Sequence, residues 1–327
     1  MKIALVGSGK IVHNCLDALK QLNTIEITAL CVRPQSRAKG EKLQNEHGIK
    51  TIYTDYATML EDDDADFIYL GIPNSLHFQY AQRALQANKN VICEKPLTSN
   101  ASQTQQLVEL ARSKNAFLFE AITSIHTPCF EYLQQNLSRL GEIKIIQCNY
   151  SQYSSRYDDY KNGEVHPVFD PIMSGGALYD INLYNVYNLV ALFGAPEHVS
   201  YSCNRGFNGI DTSGTLFMQY PSFIAVCTGA KDSDSPGYMT IQGTRGYAQI
   251  TDTPNTCKTM QLYIDSHHQT FSDSRYSNHM VYEFEQFESI FRRHDLKRCH
   301  QLLEQALIVS KVLEHARTQA RLDFIDS

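Results

Sequence analysis

The 327-residue chain contains no tryptophan, no CxxC pair and no apolar run that approaches the length of a membrane span. A span needs about 20 consecutive apolar residues, so the sequence predicts no membrane partner. Nine scattered cysteines, an odd number, favour reduced thiols over a disulfide framework or a zinc site, and we expect no bound metal. The first residues lack the apolar core and cleavage site of a signal peptide, which predicts a cytoplasmic protein.

Clusters of basic residues are also missing, and the net charge is -6. Such a surface has no general attraction for phosphate backbones, so nucleic acid is not an expected partner. The length exceeds that of one ordinary core and predicts about two domains. We find no internal repeats or low-complexity segments.

The first half of the sequence instead shows a regular alternation of strands and helices. The apolar run "KIALVG" ends in glycine, an amphipathic helical pattern follows, and "IEITALCV" reads as the next strand. The alternation continues to "AFLFEAI" and predicts an α/β fold, a Rossmann-type doubly wound parallel sheet over residues 1–121. Residues 122–327 then form the second domain, because the alternating units end there.

The segment "GSGKIV" carries part of a dinucleotide-binding motif. Gly7 and Gly9 occupy its first two glycine positions, followed by Lys10 and Ile11, while Val12 stands at the third. Small residues there permit a tight turn and close approach of a pyrophosphate. With a strand before and a helix after, the segment predicts a nicotinamide dinucleotide site rather than a plain turn.

Cofactor choice is expected to depend on the end of the second strand. NAD-selective proteins place an acidic residue there, but this chain has Val32. Arg33, Ser36 and Arg37 follow as candidate partners for a 2'-phosphate, which predicts NAD(P) binding with NADP slightly preferred. The alternative is that these residues form the solvated start of a helix.

The stretch "NVICEKPLTSN" places two charges directly after a buried strand. Ligands bind beyond the carboxyl ends of parallel strands, so Glu94 and Lys95 are expected to meet a ligand. Pro96 keeps Lys95 extended or allows a cis bond, and the backbone thereby aims the lysine.

The segment "GGALYDINLYNVYNLVALFG" is predicted to be a helix that begins after a glycine turn. Asp180 and Tyr184 are four residues apart and share one face, opposite an apolar stripe. Oxidation of an alcohol by hydride transfer also needs a base for the hydroxyl proton. Lys95 could lower the pKa of Tyr184, with Asp180 orienting the substrate, so the three are the candidate catalytic residues. The alternative is an ordinary helix surface.

These segments, in this order, resemble the glucose-fructose oxidoreductase and inositol dehydrogenase (Gfo/Idh/MocA) family. The long stretch "GIPNSLHFQYAQRALQANKNVICEKPLTSNASQ" is the most specific part, and "SGGALYDINLY" and "IQGTRGYAQI" follow. "FEAI" and the Asp-x-x-x-Tyr arrangement are closest to the dimeric dihydrodiol dehydrogenase branch. The resemblance implies an NAD(P)-dependent oxidoreductase acting on CH-OH groups. It also implies a second α/β domain with a large, mostly antiparallel sheet, whose open face makes a homodimer or homotetramer contact.

The resemblance also implies roles for individual residues. Lys95 would contact the nicotinamide ribose and the substrate hydroxyl, and Glu94 would help to hold the cofactor. Pro73, Asn74 and His77 would line the nicotinamide end. The alternative for His77 is a solvent-exposed position in the first turn of a helix, and that for Asn74 is a helix cap.

Substrate recognition is less well defined by the sequence. The segment before the glycine turn offers polar groups suited to an oxygenated substrate, a phosphate or a carboxylate, or else forms a solvated loop. These candidates are Arg156, Tyr157, Lys161 and His166.

The sequence departs from the dihydrodiol branch in two places, so we do not expect this protein to share the substrate of that branch. They are residues 123–125 (Thr-Ser-Ile), where the branch has an aromatic and an arginine, and Asn182, where it has glycine. The loss of aromatic lining favours a small-molecule substrate of the sugar, polyol or diol type. A non-catalytic NAD(P)-binding sensor or regulator of the same fold is the alternative function.

Overall fold

The computed structural model describes residues 1–322, and their helices and strands follow the predicted alternation closely. The strands are β1 (Lys2–Val6), β2 (Glu26–Cys31), β3 (Thr51–Tyr53), β4 (Phe67–Leu70), β5 (Asn90–Glu94), β6 (Leu118–Ala121), β7 (Ile143–Ser151), β8 (His198–Arg205), β9 (Asp211–Gln219), β10 (Ile224–Ala230), β11 (Tyr238–Gly243), β12 (Gly246–Ile250), β13 (Thr259–Ile264) and β14 (His267–Ser272). The helices are α1 (Lys10–Leu19), α2 (Arg37–His47), α3 (Tyr56–Asp62), α4 (His77–Gln86), α5 (Ala101–Lys114), α6 (Pro128–Asn136), α7 (Tyr157–Lys161), α8 (Leu183–Phe193), α9 (Met280–Arg292) and α10 (Leu296–Gln319).

The chain forms two compact units. The first contains Met1–Ala121 together with Asn278–Ala306, and the second contains Ile122–Ser277 and the residues after 306. The sequence predicted two contiguous segments that meet at residue 121. The structure differs because residues 278–306 return to the first unit.

The first unit is a six-stranded parallel sheet with the order β3-β2-β1-β4-β5-β6, which confirms the Rossmann-type prediction. An aromatic cluster explains why α9 belongs to it. Phe287 stacks on Phe119 with ring centroids 4.5 Å apart, and Phe291 meets Phe67 edge-on at 5.0 Å. Residues 284, 287 and 291 are phenylalanines at helical spacing, so α9 presents one aromatic face to the sheet.

The second unit is an eight-stranded sheet with the order β14-β13-β12-β11-β7-β10-β9-β8. Only the β7 and β10 pair is parallel within this sheet, so the prediction of a mostly antiparallel sheet is confirmed. Helices α6 and α8 pack on the sheet. Ile145, Ile224 and Tyr247 are large apolar side chains on its strands that remain 38%, 39% and 37% exposed.

The last helix, α10, has apolar residues at helical spacing that are all 8% exposed or less, namely Leu302, Ala306, Val309 and Leu313. This stripe packs into the protein. Within residues 1–322, we find no helix that combines the length and the apolar character needed to cross a lipid bilayer.

Candidate active site

A cleft of about 610 Å³ lies beyond the carboxyl ends of β1, β2 and β4 in the first unit. Part of its wall consists of residues predicted to bind the cofactor, namely Gly7, Gly9, Ile11, Arg33, Ser36 and Pro73. The other predicted cofactor residues do not line this cleft in the described chain; they are Lys10, Arg37, Asn74, His77, Glu94 and Lys95.

The glycine turn is shaped for close approach of a ligand. Gly7 has φ +116°, and a Cβ there would lie 2.3 Å from the carbonyl oxygen of Gly71, so only glycine fits. Gly9 precedes α1 and faces open space. Because glycine has no side chain to cap the helix, the first backbone N–H groups of α1 are suited to an anion. The turn therefore fits the pyrophosphate of a dinucleotide.

Basic side chains line part of this cleft. Arg33 and Ser36 line it as predicted, and so does Lys39, which the sequence reasoning missed. Arg37 instead pairs with Glu41 through Nε and Oε1 at 2.9 Å. Ser36 and Lys39 are three residues apart and hence on one helical face, a signal that could have identified Lys39.

Two tyrosines and an arginine form a further part of the wall that the sequence did not reveal. Tyr56 and Tyr80 have ring centroids 4.6 Å apart, and the Arg83 guanidinium carbon lies 5.1 Å from the centre of the Tyr56 ring. Such flat groups suit a purine base. They come from α3 and α4, so only the fold brings them together.

Lys95 directly follows β5, and hydrogen bonds fix the residues on both sides of it. Glu94 is buried and accepts a 2.7 Å hydrogen bond from the Tyr69 hydroxyl, while burial raises the pKa of the Glu94 carboxyl. The backbone N–H of Leu97 donates to Glu120 Oε1 at 2.8 Å. The Lys95 side chain is half-buried, and the bond to Pro96 is cis. Contact of Glu94 with the cofactor stays a prediction.

His77 is completely buried, which excludes the solvent-exposed alternative. Its Nδ1 lies 2.7 Å from the carbonyl oxygen of Pro96 and its Nε2 lies 2.9 Å from that of Ile72. Burial lowers the pKa of the imidazole. His77 therefore ties the turn before α4, which contains Asn74, to the loop after Lys95.

In the second unit, the predicted catalytic helix is buried almost all round. Of the 17 residues from 174 to 190, all of them described, every one is buried except Asp180 and Tyr184. Asp180 lies in a π-helical turn, Leu178–Asn182, that leads into α8. π-turns are rare and frequent at functional sites. Asp180 and Tyr184 thus form the one polar, partly exposed patch on residues 174–190, and we call this patch the polar opening of the buried helix.

The start of this helix is fixed by a buried carboxylate. Asp211 Oδ2 accepts hydrogen bonds from the backbone N–H of Leu178 at 2.7 Å and from the Tyr201 hydroxyl at 2.8 Å. A Cβ on Gly176 would lie 2.0 Å from Asp211 Oδ1, which explains the glycine at this turn. The hydrogen bond from Leu178 to Asp211 therefore fixes the π-helical turn that contains Asp180.

Three buried asparagines along the helix, at 182, 185 and 188, form what we call the asparagine row. Asn182 donates to the carbonyl oxygen of Cys227 at 3.0 Å and accepts from Asn185 at 2.8 Å. Asn188 accepts from the Ser124 hydroxyl at 2.7 Å. The residues that depart from the dihydrodiol branch, Asn182 and the segment 123–125, thus both anchor the helix.

A lysine that sequence reasoning missed is paired with Asp180. Lys231 directly follows β10, its side chain is 7% exposed, and its ammonium group forms an ion pair with Asp180 Oδ2. The signal was the one that identified Lys95, a lysine directly after a largely buried strand.

The candidate substrate residues lie in and around α7: Arg156, Tyr157, Lys161 and His166. Lys161 Nζ lies 2.7 Å from Asp158 Oδ1, and His166 Nε2 lies 2.8 Å from Asp159 Oδ2. The hydrogen bond to Asp158 raises the pKa of Lys161. Both basic groups are therefore compensated by neighbouring acids, and their contact with substrate stays a prediction.

Comparison with protein families matches both parts of the chain. Residues 1–122 match an oxidoreductase family with an NAD-binding Rossmann fold, and residues 136–249 match the Gfo/Idh/MocA C-terminal domain.

Similar proteins span nearly the whole chain. A scyllo-inositol 2-dehydrogenase (NADP(+)) from Bacillus subtilis is 31% identical over 98% of this chain and 97% of its own. A trans-1,2-dihydrobenzene-1,2-diol dehydrogenase from Xenopus tropicalis is 31% identical over 76% and 74%. The solved structure of a 3-ketoreductase from Actinomadura kijaniata with NADP and TDP-benzene has a TM-score of 0.83 at 20% identity, over 97% of both chains. At that identity, the likeness concerns the fold.

Proposed function

The chain belongs to the Gfo/Idh/MocA family of NAD(P)-dependent oxidoreductases, and on this premise we propose that it interconverts a secondary alcohol and a ketone on a polyol or sugar, preferring NADP. The predicted family and its dihydrodiol dehydrogenase-like branch are confirmed. The substrate, the cofactor preference and the roles of individual residues are the content of the proposal.

The preference for NADP is supported by the charges in the cleft. Strand β2 ends at Cys31 and is followed by Val32, so no carboxylate stands directly after this strand, where NAD-selective proteins bind the ribose hydroxyl. Arg33 and Lys39 line the cleft beside Ser36, and cations with a hydroxyl suit a 2'-phosphate. A relative named for NADP supports the same choice.

The observation that carries the catalytic proposal is the isolated polar opening formed by Asp180 and Tyr184 on the buried helix. When bound, the nicotinamide cofactor supplies or accepts the hydride. The Tyr184 phenolate oxygen takes the proton of the substrate hydroxyl during oxidation, and the resulting hydroxyl returns the proton during reduction. A free phenol has a pKa near 10, so this role needs a nearby cation. We assign that cation to Lys95, following the family, and substrate orientation to Asp180.

A polyol or sugar is favoured as the substrate class. The scyllo-inositol dehydrogenase is 31% identical over 98% of this chain, whereas a dihydrodiol dehydrogenase that matches the same share of the chain is 26% identical. Polar side chains at Asp180 and Tyr184 suit a substrate with several hydroxyl groups. Contact of Arg156, Tyr157, Lys161 or His166 with such a substrate is part of this proposal.

We also propose a homodimer or homotetramer assembled through the eight-stranded sheet. Partly exposed Ile145, Ile224 and Tyr247 on its strands support an interface there, since apolar side chains of this size favour burial against a partner.

The test is turnover over a panel of cyclic polyols, aldoses, diols and the corresponding ketones, with both nicotinamide cofactors. We expect turnover with NADP on a polyol or sugar. Tyr184→Phe and Lys95→Met should each reduce kcat by about 10²- to 10⁴-fold, the usual contribution of general acid–base catalysis. Cofactor affinity, measured by fluorescence titration, should be largely kept.

Tyr132→Phe is the matched control, because it removes a phenol hydroxyl from α6 and should leave turnover unchanged. Full activity in either site variant would reject the assigned role. Tight cofactor binding without turnover on any compound would favour the sensor function instead.

A further inference from the structure

Lys231 is a buried cation that the proposed catalysis has not yet used. Its side chain is 7% exposed, and its ammonium group pairs with Asp180. Transfer of an ammonium group out of water is unfavourable unless the group is paired, so the lysine and the carboxylate depend on each other.

The backbone fixes the position of Lys231 on both sides. Its N–H donates to the carbonyl oxygen of Thr212 at 2.8 Å, and its carbonyl oxygen accepts from Ser154 at 2.9 Å. The ammonium nitrogen also lies 5.7 Å from the centre of the buried Phe169 ring. The cation is therefore held in place, and an ammonium over an aromatic face is further stabilised.

The titratable groups around this pair come from four segments. Asp180 and Tyr184 lie on the buried helix, Lys231 follows β10, and Asp211 of β9 interacts electrostatically with Lys231. The ring of Tyr150 in β7 lies 5.9 Å from that of Tyr184, measured between centroids. Asp211 itself is engaged by Leu178 and Tyr201, so the ion-pair partner of Lys231 is Asp180.

Compensation of Asp180 matters for Tyr184, which lies one turn further along the helix. A tyrosinate forming beside an uncompensated carboxylate would place two negative charges on one face, and like charges disfavour ionisation. An ammonium group on the carboxylate removes this repulsion.

We propose that Lys231 is a positioning residue for the reaction, whose ammonium group keeps the Asp180 carboxylate ionised and oriented and lets Tyr184 give up its proton. This inference rests on the proposed function, because it assumes that Asp180 and Tyr184 act on the substrate. It adds a second lysine to the catalytic machinery, one that acts through Asp180.

The test compares Lys231→Gln, Lys231→Arg and Asp180→Asn in alcohol oxidation as a function of pH. Loss of the cation raises the pKa of a neighbouring acid, so the rising limb of kcat/KM should move upward by about one pH unit in Lys231→Gln. We also expect kcat/KM to fall by about tenfold or more, since one pKa unit corresponds to a tenfold change. Lys231→Arg keeps the charge and should retain the wild-type limb.

A double variant keeps the test valid if Lys231→Gln alone fails to fold because the Asp180 carboxylate is left unpaired. Asp180→Asn with Lys231→Met removes both partners and leaves no unpaired charge, so it should fold. Because Lys231 acts through Asp180, the double variant should lose no more activity than Asp180→Asn alone. Lys89→Met is the control: it removes a partly buried ammonium that donates to the backbone carbonyl oxygens of Asp63 and Ala65, and should leave the pH profile unchanged.

The outcomes separate the two proposals. A wild-type limb and full kcat/KM in Lys231→Gln, with Asp180→Asn inactive, would reject the role of Lys231 and keep the proposed function. Additive losses in the double variant would also reject action through Asp180. Wild-type protein without any turnover would overturn the proposed function and this inference with it.

Discussion

Two basic residues on the same helical turn should differ sharply in their effect on cofactor choice. Lys39 lines the cleft, whereas Arg37, two residues earlier, is paired with Glu41. Replacement of each by methionine removes one positive charge from α2 and keeps a long, helix-compatible side chain. Only Lys39→Met should weaken the binding of NADP relative to NAD.

The size of the effect follows from the interaction that is lost. A hydrogen bond to a charged group contributes about 1.5–3 kcal/mol, and every 1.4 kcal/mol changes an equilibrium about tenfold. Lys39 is exposed, so salt screening favours the lower end of this range. We expect the ratio of NADP to NAD affinity to fall about tenfold in Lys39→Met and less than about twofold in Arg37→Met.

The assay is titration of both cofactors by fluorescence, at low and at high ionic strength. The difference between the variants should shrink as salt is added. Equal ratios in Lys39→Met and the wild type, together with an unchanged ratio in Arg33→Asp, would show that these residues form a solvated helix start. A larger effect in Arg37→Met would contradict the side-chain placement on α2.

Two further predictions concern stability and assembly. Phe287→Ala should cost about 3–5 kcal/mol of unfolding free energy because its ring is fully buried; Phe207→Ala, at 65% exposure, should cost less than about 0.5 kcal/mol in the same denaturant titration. Equal losses of unfolding free energy in the two variants would contradict the packing of α9 on the sheet. Ile145→Asp should reduce the mass of the wild-type oligomer in analytical ultracentrifugation, since a charge would be buried in the interface; a monomeric wild type would refute the proposed interface.

Local sequence patterns were sufficient for the first sheet and for the glycine turn at its edge. Gly7 and Gly9 line the cleft, and they could be located because a strand, a turn and a helix follow one another within a few residues. The role of Lys95 stays a prediction. The register of the helix carrying Asp180 and Tyr184 was likewise readable, since an apolar stripe defines the opposite face.

Other features depend on contacts between distant segments and could not be read in the same way. The Phe287 ring meets Phe119, 168 positions earlier, so the return of α9 to the first unit has no local signal. Lys231 forms its ion pair with Asp180, which is 51 positions away in the sequence, so no local pattern indicates the pair. His77 was given an exposed alternative because sequence does not show that two backbone carbonyls enclose it.

The asparagine row separates the anchoring of the helix from its chemistry. Asn182, Asn185 and Asn188 fix its rotation by hydrogen bonds to neighbouring backbone and side chains, while Asp180 and Tyr184, the proposed reacting groups, lie on another face. If Asp180 and Tyr184 act as proposed, their substitution should change the chemistry while these hydrogen bonds still hold the helix in register. Loss of activity in a variant at either position can then be distinguished from loss of the fold.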